Sequence, residues 1–194
     1  MKIFLPDEVY EQAVETGLQR SKGKKHRDVG DAWAQNSDDS DGRHIFGASC
    51  EFLLAYVFGV EPNREIYRKG DNNAPDLVLQ SGRTVEVKGN RRQGNGFCLR
   101  TADAGEFKAD LGILVYSSTA TPQLFEVAGW ITQPDFLGLS NERNFGAKYG
   151  GVRRLVEAHL LSPFVSLIHD EGQRVEGYEK EIWGRCSPDS HGTH

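Results

Sequence analysis

The segment from Pro75 to Lys88 constrains this chain more than any other, because it encodes two short strands back to back with a turn between them. Its first half, Pro75-Asp76-Leu77-Val78-Leu79, is a short apolar run behind an acid. Its second, Arg83-Thr84-Val85-Glu86-Val87-Lys88, alternates polar and apolar residues. Both are patterns of half-buried strands, and Asn72-Asn73-Ala74-Pro75 and Gly89-Asn90 bound the unit with turn-forming residues. Strand side chains point to the two faces in turn, so Val85 and Val87 face a core while Glu86 and Lys88 share the opposite face.

Loop length decides whether Asp76 joins them. A two-residue turn at Ser81-Gly82 pairs Gln80 with Arg83 and Asp76 with Val87, which separates the two acids onto opposite faces. A three-residue loop, Gln80-Ser81-Gly82 with Gly82 left-handed in a G1 bulge, pairs Leu79 with Arg83 and Asp76 with Glu86. Glycine stands where that loop requires it, so the odd register is the one expected. Two carboxylates and a lysine on one side of a hairpin make a site for a hard divalent cation with an ammonium beside it.

Pro75-Asp76 followed across a hairpin by Glu86-Val87-Lys88 resembles the PD-(D/E)XK, or restriction-endonuclease-like, nuclease superfamily. The family commonly places a glutamate on a helix before the hairpin. Glu51 matches, as the one charged residue in a helical run, Phe46 to Phe58, that is apolar almost all round. The resemblance spans residues 46–132 and implies a mixed α/β fold, a central mixed β-sheet flanked by helices. It implies that Asp76 and Glu86 bind Mg²⁺, with Mn²⁺ as a substitute, and that the Val87 carbonyl completes the coordination. By the same resemblance Lys88 acts at the scissile phosphate or its attacking water, and Glu51 binds a metal-bound water or a second ion. The implied partner is DNA and the implied activity phosphodiester hydrolysis, with two protomers pairing if both strands are to be cut. The glutamine and tyrosine on a later helix that mark the exonuclease branch are not found at their spacing, which favours an endonuclease on double-stranded or branched DNA.

Each piece has a plainer reading. An isolated E-x-K is usually a solvated strand face with surface ion pairs, and a buried glutamate can be paired with an arginine for structural reasons. Glu106-Phe107-Lys108 and Pro134-Asp135 repeat the two half-motifs without an acidic hairpin partner and read as accidental. A non-catalytic DNA-binding or protein-interaction module on the same fold is the alternative function.

At 194 residues the chain suits a single domain with a full core. A net charge of -5 excludes coating of nucleic acid by bulk charge but not local phosphate contacts. Three widely spaced cysteines, Cys50, Cys98 and Cys186, frame neither a disulfide scaffold nor a zinc site and suit a reducing cytoplasm. The start of the chain lacks the apolar run of a signal peptide, and no stretch approaches a membrane span.

A first helix is expected from Pro6-Asp7, with Val9, Tyr10, Ala13, Val14 and Leu18 on one face. Residues 19–44 read as a long polar, mobile segment whose basic cluster, Arg20, Lys22, Lys24, Lys25 and Arg27, either holds nucleic acid at the cleft mouth or is a solvated linker. Arg91 and Arg92 follow Lys88 on a strand-exit loop, where they grip phosphates or form a solvated turn. Strands are expected at Arg64–Arg68, Leu111–Tyr116 and Leu124–Thr132, a strand or loop at Gly96–Arg100, a helix at Val152–Leu161, and a disordered tail at 186–194.

Overall fold

The computed structural model describes residues 1–25, 40–66, 74–91, 93–100, 107–118, 121–146 and 151–171. Strand β1 (Lys2–Phe4) leads into helix α1 (Asp7–Lys25), which turns back along helix α2 (Ser40–Phe58). The hairpin follows as β2 (Leu77–Val78) and β3 (Thr84–Asn90). Then come β4 (Phe97–Arg100), β5 (Leu111–Ser117), β6 (Leu124–Thr132), α3 (Gln133–Leu139), β7 (Asn141–Asn144), β8 (Val152–Val156), a short 3-10 turn at Ala158–Leu160 and α4 (Phe164–Asp170). The fold is mixed α/β, as expected.

The main sheet has the order β1-β6-β5-β3-β2 and a second sheet the order β4-β8-β7. In the main sheet only β3 and β5 run parallel. Central β5 is buried along almost its whole length, as its apolar run requires. Helix α2 covers one face of this sheet, where Cys50, Leu53, Leu54 and Phe58 join Val85, Val87, Ile113, Val115, Phe125 and Val127 in one core. The approach is close. A Cβ on Gly89 would stand 2.7 Å from the Phe46 ring and 3.0 Å from the Cys50 sulfur, so only glycine lets α2 lie across the end of β3.

The second sheet packs on the other face. Phe97 of β4 sits over Gly112 of β5, where a Cβ would come within 2.5 Å of its ring, and Phe97, Phe107 and Phe136 form an aromatic trio with centroids 5.5–5.8 Å apart. Leu99, Leu114, Tyr116, Ile131 and Val156 complete this second core.

Three expectations are corrected. Residues 19–25 and 40–44 are helical, the ends of α1 and α2, because Arg20 and Ser21 find partners on α2 in Glu51 and Asp41; residues 26–39, with Arg27, lie outside the described residues. Val152–Leu161 is not a helix but strand β8 and a 3-10 turn, drawn into the sheet between β4 and β7. Residues 64–66 form no strand, and the tail at 186–194 lies outside the described residues. No helix among the described residues is long and apolar enough to cross a membrane.

Candidate functional site

The hairpin takes the odd register. Leu77 pairs with Val85 and Val78 with Thr84, the Leu79 amide donates to the Arg83 carbonyl at 2.8 Å, and the Gly82 amide closes the turn on the Leu79 carbonyl at 2.9 Å. Gly82 has a φ of 86°, the left-handed value that a G1 bulge needs. Continued by one step, the register sets Asp76 opposite Glu86. Val85 and Val87 are buried in the α2-side core, and the Lys88 ammonium donates to the Glu86 carboxylate on the opposite face, as the alternation requires.

Asp76 caps the edge of β3. Its Oδ2 accepts from the Val87 amide at 2.7 Å, a place that a backbone carbonyl of β2 would hold in a longer hairpin. The N–H and C=O of one strand residue point to the same edge, so the Val87 carbonyl faces this edge too. Pro75 stands opposite Val87 in the continued register and has no N–H to offer it. The proline of the motif thus leaves an oxygen donor beside the Asp76 carboxylate.

Glu51 reaches the same place from α2, with its side chain only 12% exposed. Burial pushes its carboxyl up, Arg20 pulls it down, and Glu86 and Lys88 act on it in opposite directions. Asp76 is raised to about 7, chiefly by burial, then by Glu86 and Glu51, against the Val87 hydrogen bond and Lys88. The four residues singled out in the sequence therefore share one electrostatic neighbourhood, in which the carboxylates raise one another and Lys88 opposes them.

The carboxylates are turned to internal partners. Arg20 grips both oxygens of Glu51 at 2.8 and 2.9 Å and donates to the Asn63 carbonyl at 2.7 Å. With Lys88 on Glu86 and the Val87 amide on Asp76, no group of three His, Cys, Asp or Glu among the described residues converges as a metal-holding cluster. The plainer reading of Glu51, a buried acid paired with an arginine, is thus what its contacts show. The donor set nonetheless suits a hard cation in kind: carboxylate and carbonyl oxygens.

The basic residues separate. Arg91 is exposed at the end of β3, its guanidinium 5.9 Å from the centroid of the Phe46 ring, while Arg92 lies outside the described residues. Lys22 is exposed on the last turn of α1, where a cation suits the negative end of the helix dipole, and the side chains of Lys24 and Lys25 at the end of that helix lie outside the described residues. Asp135 of the control motif exchanges hydrogen bonds with Thr132, the N-cap of α3, and serves structure there. Cys50 and Cys98 are free thiols. Sequence reasoning missed Arg20 as the partner of Glu51, because 31 residues separate them and only the packing of α1 on α2 joins them. No protein-family model, curated protein or solved structure matches the chain.

Proposed function

We propose that the chain is a metal-dependent deoxyribonuclease of the PD-(D/E)XK type, an endonuclease acting on double-stranded or branched DNA in the cytoplasm. One observation carries the reading: the odd-register hairpin that sets Asp76 opposite Glu86, with Lys88 beside them. Asp76, Glu86 and the Val87 carbonyl would hold Mg²⁺ or Mn²⁺, with Glu51 binding a water of the ion. A cation so held lowers the pKa of bound water and neutralises charge on a phosphoryl oxygen.

The protein's own groups do the rest. Asp76 is kept at the edge of β3 by the Val87 amide. Lys88, held near three carboxylates, offers its charge to the phosphate as negative charge grows there, an electrostatic role rather than that of a base. Arg20 holds the Glu51 carboxylate in place and balances its charge. Cutting both strands of a duplex would call for a homodimer.

Cleavage assays on linear, nicked, branched and single-stranded DNA test this. Cutting should need Mg²⁺ or Mn²⁺, stop in chelator, and be weak with Ca²⁺, whose looser coordination positions water poorly. The second reading, a non-catalytic DNA-binding or protein-interaction module, draws on the Arg20 and Lys88 pairs that occupy the carboxylates; it predicts no cutting on any substrate with any metal.

A further inference from the structure

The loop that leaves β3 beyond Lys88 is fastened at the ends of three strands. Asn90 of β3 pairs in register with Tyr116 of β5, and Tyr116 with Glu126 of β6, so the three side chains stand in a row on one face of the main sheet. It is the face of Glu86 and Lys88, because residues two apart on a strand share a face. Each member of the row holds one point of the loop. Asn95 donates from Nδ2 to Asn90 Oδ1 at 3.3 Å, the Tyr116 hydroxyl donates to the Asn95 carbonyl, and Gln93 donates from Nε2 to Glu126 Oε2 at 2.8 Å. Next in the chain, Gly96 lies so close to β8 that a Cβ would run into the Val156 carbonyl.

The tip held in this way is small, polar and open. Gln93, Gly94 and Asn95 are exposed, Gly94 has a φ of 86°, and a Cβ on it would meet nothing within 4 Å. Both amide nitrogens are engaged with the protein, which fixes how the side chains are turned, while neither amide oxygen accepts a hydrogen bond among the described residues. Two residues of strand separate Lys88 from Asn90, about 7 Å. Asn95, bonded to Asn90, therefore stands about two base steps of roughly 3.4 Å from Lys88.

We propose that Gln93 and Asn95 are specificity-determining residues: the tip enters a groove of duplex DNA, and its amide oxygens accept from base edges within about three nucleotides of the cut. The inference rests on the nuclease reading and names what that site selects in its substrate. An amide oxygen accepts from the exocyclic amino groups of adenine, cytosine or guanine and offers nothing to a phosphate oxygen, so base edges are the partners it suits. A loop already fixed by its own protein loses little freedom on docking.

The test is cleavage of a library of linear duplexes randomised in sequence, with the cut ends sequenced. Wild type should cut with a base preference beside the cut. Gln93→Ala and Asn95→Ala, both at exposed positions, should leave the fold and the rate on disfavoured sequences intact and reduce the ratio of favoured to disfavoured cutting by about fivefold or more, as loss of a base contact does. Equal slowing on every sequence would make the loop merely structural and overturn the inference. A wild-type preference that survives both substitutions, or a wild type that cuts with no preference, would also overturn it and leave the nuclease reading standing. Wild type that cuts no DNA with Mg²⁺ or Mn²⁺ would overturn the nuclease reading and this inference with it, and cutting confined to RNA would overturn duplex DNA as what the tip reads.

Discussion

Asp76 is the residue on which most of the site's electrostatics converge. Its carboxyl is raised from 3.8 to about 7 in the folded protein, so the unfolded chain gives up this proton at lower pH than the folded one. The stability linked to the proton is therefore fully present below about pH 4 and is lost as pH rises through 7. Melting curves in chelator should show wild type losing stability between pH 5 and 8, with Asp76→Asn flatter and more stable at pH 8; identical pH profiles would contradict the burial and repulsion described here. Mg²⁺ at pH 8 should restore stability to wild type more than to Asp76→Asn, since a cation would bind the ionised carboxylate. The pairing of Asp76 with Glu86 was legible in the sequence because an odd loop with glycine at its third position admits one register. The Asp76 bond to the Val87 amide was not, since it depends on how short β2 is.

Elements were legible where local pattern and tertiary demand agree. The alternation of β3 and the apolar run of β5 correspond to a strand with one face in the core and a strand covered on both. Val152, Leu155 and Val156 have the i, i+3, i+4 spacing of a helix face, yet pairing with β4 and β7 outweighs that spacing over a segment of five residues. The polar end of α1 likewise reads as loop until Arg20 and Ser21 meet their partners on α2. Arg20→Met should destabilise the protein by roughly 3–5 kcal/mol, because it strands a buried carboxylate, while Arg20→Met/Glu51→Gln should recover most of it; urea denaturation measures both, and additive losses would contradict the pairing. In the hairpin, Gly82→Val should cost about 1 kcal/mol or more through left-handed strain, read as a shift in denaturation midpoint.

At the scale of the whole molecule, two sheets back to back leave the Glu86 and Lys88 face of β3 next to the edge of β4, with α2 bringing Glu51 from the other side. The sequence showed the residues of this site because they cluster on one hairpin and one helix. In the proposed function Lys88 provides charge at the reacting phosphate while the oxygen donors bind the ion. The most direct measurement pairs the single-turnover cleavage rate of Lys88→Ala in Mg²⁺ with its Mn²⁺ affinity by calorimetry. The rate should fall at least a hundredfold, as removal of a transition-state charge partner typically causes, with Mn²⁺ affinity unchanged or higher. Undiminished cleavage by Lys88→Ala would contradict it.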